Sequence, residues 1–218
     1  MIEPSAVSRI LIVGAGGFGR EVLQWACDAW PDRAGLIAGF VAAAGGRVDE
    51  GGTRLDIISD PERYQPAPGD GLLLGIGIPA VRRRVAEALL RRGATFLSLV
   101  HPTAVVARTA SIGAGTIVCP FVVVSEAARV GACTLLNYHA SVAHDASTGA
   151  FAVLSPYAAL GGHASIGDDV FMGMHASVGP GRRVGDRSKI SANSCALANV
   201  PADSLVYGVP GRVAPLIV

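Results

Sequence analysis

The sequence has few aromatic and few charged residues. Aromatic side chains make up 6% and charged side chains 16% of its 218 residues, whereas 50% are hydrophobic. A chain this apolar does not belong to the disordered class, which combines low hydrophobicity with high net charge. Its 18 basic and 17 acidic residues leave a net charge of +1. No broad positive field therefore favours nucleic acid or an anionic membrane as the main partner.

Long apolar runs and paired cysteines are also missing. The uncharged run at residues 109–125 is interrupted by two glycines and a proline and is shorter than the roughly 20 apolar residues of a membrane-spanning helix. The four cysteines show no C-x-x-C spacing, which favours free thiols in a reducing compartment. No basic segment precedes a long apolar stretch near the start, so no signal peptide is expected. We expect a cytoplasmic protein that does not insert into a membrane.

Glycine, in contrast, is abundant, and one group of glycines forms a motif. The chain has 28 glycines, near twice the usual share of roughly 7%, without the Gly-X-Y period of collagen. Residues 14–19 read GAGGFG, which fits G-x-G-x-x-G, between the apolar run Arg9–Val13 and a segment with helical periodicity. This is the context of a dinucleotide-binding loop. Its glycines let the backbone approach a phosphate, and the helix N-terminus offers free N–H groups.

The same region lacks the acidic residue that NAD binding requires. A second strand is predicted at Leu36–Val41, but it runs into three alanines, and the nearest carboxylate is Asp49. In the dinucleotide fingerprint an Asp or Glu near this point holds the ribose. The missing acidic residue therefore argues against NAD as the ligand of this loop.

The rest of the first hundred residues completes an α/β pattern. A third strand is predicted at Leu72–Ile76, a helix at Ala80–Arg92 and a last strand at Phe96–Val100. We interpret the arginines of this helix as a solvated helix face in preference to a phosphate site; they are Arg82, Arg83, Arg84, Arg91 and Arg92. Residues 1–99 are thus predicted to form a small Rossmann-like domain.

From Val100 onward the sequence repeats every six residues, and such repeats decide the fold. Of the seventeen positions at this spacing from 100 to 196, fifteen are Val, Ile, Leu or Met, and eight are followed directly by glycine. Thirteen of the sixteen positions four residues further on are Ala, Ser or Thr. Thr148 breaks the aliphatic series, and the sequence offers no functional reason for it.

A period of six fits one short strand plus one tight corner. The aliphatic residue then points inward, and the glycine supports the turn. Three such units close a triangular coil of eighteen residues, and the coils stack as parallel β-structure about 4.8 Å apart. A narrow prism has no room for rings, which explains the scarcity of aromatics. Residues 100–218 are predicted to form this β-solenoid with a C-terminal extension.

The pattern resembles the hexapeptide-repeat acyltransferases, whose prism is a left-handed parallel β-helix. More closely, the sequence is similar to the sialic acid O-acetyltransferase and nucleotide-sugar N-acetyltransferase family in GAGGFGREV, IGIPAVRRRVAEALLRRGATFLSLVHPTAVV, the hexads and VPADSLVYGVPGRV. The resemblance implies an acetyl-CoA-dependent acetyltransferase acting on an amino or hydroxyl group of a sugar, with a nucleotide-linked sugar favoured. It also implies a homotrimer that binds acetyl-CoA in a crevice between two neighbouring subunits.

Acyl transfer needs a base, and histidine is the natural one at neutral pH. Among five histidines, His144 is followed by Asp145, and in the resembling family a His followed by an acidic residue at this place is the catalytic base and its partner. Asp145 would then orient the imidazole. Because residues eighteen apart stack, Glu126 is an alternative orienting group. His101, at the predicted domain junction, is interpreted as structural.

The resemblance also implies binding residues around His144. Gly162, one rung away, matches the position whose backbone N–H meets the acetyl carbonyl, although a simple corner glycine is an equal interpretation. Asn137 matches a polar residue beside the acceptor sugar, and His163 is a second polar group near the thioester. Met174 and Ala192 are assigned to the facing wall of the cofactor crevice, and Arg212 is assigned as a contact to the coenzyme phosphates.

The glycine loop is expected to hold the nucleotide or sugar end of the acceptor through Gly14, Gly16, Gly17, Phe18 and Gly19. Relatives that act on UDP-amino-sugars often have His in place of Phe18 and acidic residues in place of the alanines at 42 and 43. The sequence therefore does not identify the acceptor; the candidates include another nucleotide sugar and a free sugar such as a sialic acid.

Two alternatives accompany this hypothesis. An acyltransferase acting on a non-sugar acceptor such as an amino acid is one, and a non-catalytic trimeric scaffold that binds a nucleotide sugar is another. A metal site is not expected, because no H-x-x-x-H pair or cysteine joins the histidines and stacking separates most of them; the histidines considered are His139, His144, His163 and His175.

Overall fold

The computed structural model describes residues 7–43, 46–50 and 53–217, and begins with an α/β unit. Its strands are β1 Arg9–Val13, β2 Ile37–Val41, β3 Gly46–Glu50, β4 Thr53–Ser59, β5 Asp70–Leu74 and β6 Thr95–Phe96. Its helices are α1 Gly17–Ala29, a short 3-10 helix Pro31–Leu36 and α2 Pro79–Leu90. One sheet holds the strands in the order β3-β4-β2-β1-β5-β6, with every neighbouring pair parallel except β3–β4.

The strands and helices predicted for this unit are present with small shifts, except at its end, and two further strands, β3 and β4, lie between the predicted second and third strands. The predicted run Phe96–Val100 is not one strand, because Phe96 ends β6 whereas Leu99 begins a strand of the solenoid. Ala44 and the side chain of Asp49 lie outside what the structure describes. No helix among the described residues is both long and apolar enough to cross a bilayer.

The rest of the chain is a solenoid of mostly two-residue strands in three sheets. Sheet I holds β7 Leu99–Val100, β10 Ile117–Val118, β13 Leu135–Leu136, β16 Val153–Leu154, β19 Phe171–Met172, β22 Lys189–Ile190, β24 Ser204–Tyr207 and the antiparallel β25 Arg212–Pro215. Sheet II holds β8 Val105–Val106, β11 Val123–Val124, β14 Ser141–Val142, β17 Ala159–Leu160, β20 Ser177–Val178 and β23 Cys195–Ala196. Sheet III holds β9 Ser111–Ile112, β12 Arg129–Val130, β15 Ser147–Thr148, β18 Ser165–Ile166 and β21 Arg183–Val184.

The eighteen-residue register is confirmed by the strand pairing. Val118 pairs in parallel with Leu136, and Val124 with Val142. The second residue of nearly every strand from β10 to β23 points inward and is buried, including Val142 at 0% exposure. The ladder of aliphatic residues predicted from the hexads is therefore the core of the prism.

The reason for the corner glycines differs from the prediction. The left-handed backbone of each corner falls three residues after the inward residue and is held mostly by other residue types, for example Cys133 and Asp145 with φ near 55°. The glycines that directly follow the inward residue are not in this conformation. A Cβ at Gly113 or Gly131 would instead lie 2.3–2.5 Å from the backbone of the next rung. Close approach between rungs requires these glycines.

Thr148 also receives a structural explanation. Its side chain is buried in the inward series, and its hydroxyl accepts a hydrogen bond of 3.0 Å from the backbone N–H of Gly131. At the equivalent points of other rungs the acceptor is a backbone carbonyl, as for Gly113 with Val130. The hydroxyl therefore takes the place of a ladder carbonyl.

The α/β unit packs on sheet I of the solenoid. The first residue of each solenoid strand faces outward, yet Leu99, Ile117 and Leu135 in sheet I are at most 1% exposed. The equivalent Val105 and Val123 of sheet II are 63% and 41% exposed. Sheet I is thus covered in its first coils, whereas sheet II is open there.

Two arginines of α2, Arg82 and Arg83, make much of this junction. The prediction of a solvated helix face is wrong for both of them and for Arg92, which follows the helix. Arg82 is fully buried, and its guanidinium donates to carbonyls of both units: Leu74, Ile76, Cys133 and Thr134. Arg83 forms ion pairs with Asp168 and Asp169 of the solenoid and lies 4.3 Å over the ring of Phe151. Arg92 donates to three carbonyls of residues 61–64. Arg84 and Arg91 are exposed.

Candidate active site

His144 and Asp145 form an exposed pair at one corner of the prism. They follow β14 of sheet II after one residue, Ala143, at the corner where the chain turns toward sheet III. The Nδ1 atom of His144 lies 2.9 Å from Oδ2 of Asp145, and the two side chains are 61% and 45% exposed. An imidazole held by a carboxylate at one ring nitrogen presents the other nitrogen to a substrate.

Asp145, and not Glu126, contacts the imidazole. The stacking of the rungs brings Glu126 to the same corner, where its backbone carbonyl accepts from the N–H of Asp145. The hydrogen bond to His144, together with the nearby imidazole of His163 and the guanidinium of Arg129, lowers the pKa of Asp145. The carboxylate is therefore ionised at neutral pH.

Gly162 and His163 lie on the next rung, beside this pair. A Cβ on Gly162 would stand 2.6 Å from Nε2 of His144, so the imidazole occupies the space that a side chain would take. The ring of His163 lies edge-on to that of His144 with 5.1 Å between centroids, and its Nε2 is 3.7 Å from Oδ2 of Asp145. The structure thus brings four of the predicted site residues together at one corner.

The corner between sheets I and II carries a ladder of stacked rings, which we call the ring ladder. It consists of Phe121, His139, Tyr157 and His175, with centroids 4.7–4.9 Å apart and planes within 16° of parallel. All four have a left-handed backbone and are exposed. The ladder holds His139 and His175 away from His144, in agreement with the stacking that is predicted to separate most of the histidines. The eighteen-residue spacing of all four rings was a signal for the ladder.

The other predicted binding residues lie on or near that second corner. Asn137 precedes the ring ladder on its rung, is half-buried, and its side-chain oxygen accepts from the N–H of Tyr138. Met174 and Ala192 are exposed on successive rungs of the same corner. Arg212 is exposed at the start of β25. None of these lies at the corner of His144.

The glycine loop forms a cradle at the carboxyl ends of β1, β2 and β5. Gly14, with φ 104°, leaves no space for a Cβ, which would lie 2.7 Å from the Gly75 carbonyl oxygen. A Cβ at Gly16 or Gly17 would meet open space. Helix α1 begins at Gly17 with no side-chain cap and no acidic residue in its first turn, so its first N–H groups are available to an anion.

A cavity of about 530 Å³ opens beside this loop. Ala42 and Ala43 line it where a dinucleotide site would carry its acidic residue,. Arg84 of α2 also lines it, and sequence reasoning missed this arginine because five arginines in one helix do not show which way each points. The side chain of Phe18 turns away, with its ring 6.0 Å from that of Trp25 in the core.

The glycine loop and His144 lie on opposite sides of the prism. The α/β unit that carries the loop packs on sheet I, with α1 against β7 and Asp28 3.5 Å from the buried, structural His101. His144 stands where sheets II and III meet, which is the corner of a triangle opposite sheet I. Within one chain, the glycine loop and His144 therefore face away from each other.

Comparisons with known proteins give a consistent set of relatives. No family model matches the chain. A curated relative, the UDP-N-acetylbacillosamine N-acetyltransferase of Bacillus subtilis (strain 168), is 30% identical over 115 residues, which is 51% of each chain. The match thus spans about half the length of that relative.

Solved structures match over nearly the whole chain. The acetyltransferase domain of PglB from Neisseria gonorrhoeae FA1090 is 25% identical with a TM-score of 0.84, covering 95% of this chain and all of the domain. PerB from Caulobacter crescentus, solved in complex with CoA and GDP-perosamine, is 27% identical with a TM-score of 0.81, covering 96% and 98%. These matches confirm the resemblance that the glycine loop, the hexads and the closing segment indicate.

Proposed function

This chain resembles the hexapeptide-repeat β-helix acetyltransferases, and we propose that it transfers an acetyl group from acetyl-CoA to an amino or hydroxyl group of a nucleotide-linked sugar. The observation that carries the proposal is the His144–Asp145 pair, exposed at a corner where a glycine leaves room for its imidazole. Solved relatives hold CoA and GDP-perosamine, which supports the two substrate classes. The left-handed winding of the prism and the Rossmann-like role of the first unit belong to the same proposal.

The proposed chemistry is direct transfer without an acyl-enzyme. The free ring nitrogen of His144 takes the proton of the acceptor as its nitrogen or oxygen attacks the thioester carbonyl. Asp145 stabilises the imidazolium that forms. The backbone N–H of Gly162 donates to the developing oxyanion. Collapse of the tetrahedral intermediate breaks the C–S bond, and the leaving thiolate of CoA receives the proton from His144.

The glycine loop is the proposed site of the acceptor's nucleotide. Free N–H groups at the start of α1 and the guanidinium of Arg84 suit a diphosphate. Ala42 and Ala43 stand where a dinucleotide site carries its acidic contact to a ribose, and the carboxylates that line the cavity are those of Asp60 and Glu62. Because of this difference from a dinucleotide site, the class of nucleotide has to be determined by experiment.

Because the loop and His144 face apart in one chain, we place each active site between two copies of the chain. One copy holds the nucleotide and contributes Asn137, and its neighbour contributes His144 with acetyl-CoA between them. Met174, Ala192 and Arg212 complete the cofactor crevice in this arrangement. A homotrimer of parallel prisms satisfies it with three equivalent sites.

The test is a thiol-release assay with acetyl-CoA against nucleotide amino-sugars, free sugars and amino acids. Acceptor-dependent release of CoA is expected with at least one nucleotide sugar and with no amino acid. Release with amino acids alone would replace the acceptor class with a non-sugar one. Binding of nucleotide sugars without any thiol release would instead make the chain a non-catalytic scaffold.

Mixed oligomers test the shared site directly. Two inactive variants, His144→Ala and Gly17→Trp in the glycine loop, are co-expressed with different affinity tags and purified by both. We expect the mixed oligomer to regain up to about one third of the wild-type activity, because some interfaces then combine an intact loop with an intact base. The separately purified variants are the controls. Absence of any regained activity would mean that each chain serves its own base.

A further inference from the structure

The corner of His144 holds three side chains that are metal ligands by type. Their ligand atoms, from His144, Asp145 and His163, all lie within 4.8 Å of one another. The closest approaches to Asp145 Oδ2 are 2.9 Å from His144 Nδ1 and 3.7 Å from His163 Nε2. At the Zn–N and Zn–O lengths of about 2.0–2.2 Å, ligand atoms of a tetrahedral zinc site stand about 3.4 Å apart. Small rotations of three exposed side chains reach this arrangement.

The corner of the prism fixes the backbone of these ligands. Asp145 and His163 occupy the same left-handed corner conformation on adjacent rungs, with φ 59° and 58°. The N–H of His163 donates to the carbonyl of His144 at 3.0 Å. Glycine at position 162 leaves the space that the His144 ring occupies. The side chains are 45–67% exposed, so an ion reaches them from solvent and keeps a water-filled fourth position.

The donor set selects the metal. Two neutral imidazoles and one carboxylate suit zinc and neighbouring transition metals, whereas Mg²⁺ and Ca²⁺ require a shell of oxygen ligands. The sequence predicted no metal site, because stacking separates most of the histidines. The structure does separate His139 and His175 from this corner, but it places Asp145 as the missing third ligand.

We infer that His144, Asp145 and His163 bind one Zn²⁺ ion per chain, and that zinc and acetyl transfer exclude each other at this corner. When Nδ1 of a neutral imidazole binds zinc, the proton sits on Nε2, so that nitrogen has no lone pair left to accept a proton. The inhibition rests on the proposed function; the binding does not. The site would thereby make the enzyme sensitive to free zinc.

Zinc binding is measured on the metal-free protein by isothermal titration calorimetry with zinc chloride, in the absence of CoA. We expect one ion per chain for wild type, an affinity at least tenfold lower for His163→Asn and Asp145→Asn, and unchanged binding for His175→Asn, which lies on the ring ladder. Asparagine tolerates the left-handed corner, and circular dichroism checks that each variant is folded. Magnesium chloride is expected to give no binding.

Two outcomes would overturn the inference. No zinc uptake by the wild type is one; equal uptake by wild type and His163→Asn is the other, since the ion would then sit elsewhere, for example on the half-buried thiols of Cys27 or Cys195. If the acetyltransferase assay gives activity, zinc is expected to inhibit it reversibly, with restoration by EDTA and at least a tenfold higher inhibitory concentration for His163→Asn. If no acceptor is ever acetylated, the calorimetry still decides the binding.

Discussion

Replacing His144 with alanine is expected to lower kcat for acetyl transfer at least 100-fold, with KM for acetyl-CoA changed by less than threefold. A general base contributes about 10²- to 10⁴-fold to such reactions, and among the described residues no second imidazole stands in the same place against Gly162. The side chain is 61% exposed, so its loss leaves no core cavity. Steady-state kinetics with the best acceptor measure the effect, and an unchanged melting temperature shows that the fold is intact. Activity within about threefold of wild type would remove His144 as the base.

Two further variants separate the orienting groups at that corner. Asp145→Asn is expected to lower kcat about tenfold or more, because the amide no longer stabilises the imidazolium. Glu126→Gln is the matched control on the preceding rung and is expected to leave kcat unchanged, since only the backbone of Glu126 contacts the pair. Similar losses for both would mean that the charge of the corner matters more than the contact of 2.9 Å between His144 and Asp145.

The solenoid half of the fold was predictable because one periodicity encodes it. A single aliphatic residue every sixth position fixes strand, corner and coil together, and the stacking of residues eighteen apart follows without further assumptions. This is why the neighbours of His144 on adjacent rungs, Glu126 and Gly162, were named correctly from spacing alone. The spacing did not show which of Asp145 and Glu126 turns its carboxylate toward the ring, because that depends on side-chain direction and not on register.

The junction between the two halves was not predictable from the sequence. Helical periodicity shows that Arg82 and Arg83 lie in a helix, but burial of an arginine depends on what packs against that helix from far along the chain. Their partners, Cys133 and Asp169, are 51 and 86 residues away. The corner glycines were also misinterpreted from the sequence. Glycine is favoured both by a close approach between rungs and by a positive φ angle, and the sequence does not show which of the two applies. The glycine loop was recognisable because its strand, turn and helix are contiguous.

Replacing Arg82 with methionine is expected to lower the free energy of unfolding by about 3 kcal/mol or more. The guanidinium is fully buried, and its burial lowers the pKa to about 10, which keeps it charged at neutral pH. It donates to the carbonyls of Leu74 and Ile76 at 2.8 Å and to two carbonyls of the solenoid. Methionine fills much of the volume but leaves these acceptors without donors, at about 1–3 kcal/mol for each buried group left unsatisfied.

The matched control is Arg84→Met, two residues along the same helix, where the side chain is exposed and a change within about 0.5 kcal/mol is expected. Urea unfolding followed by circular dichroism, at one protein concentration because assembly contributes to stability, compares both variants with wild type. Because Arg82 joins the carboxyl end of β5 to the corner between β12 and β13 of the prism, its loss is also expected to loosen the two halves from each other. Limited proteolysis between β6 and β7 then becomes faster in Arg82→Met than in Arg84→Met. Equal stability and equal cleavage of the two variants would show that the apolar contacts of sheet I alone hold the α/β unit in place.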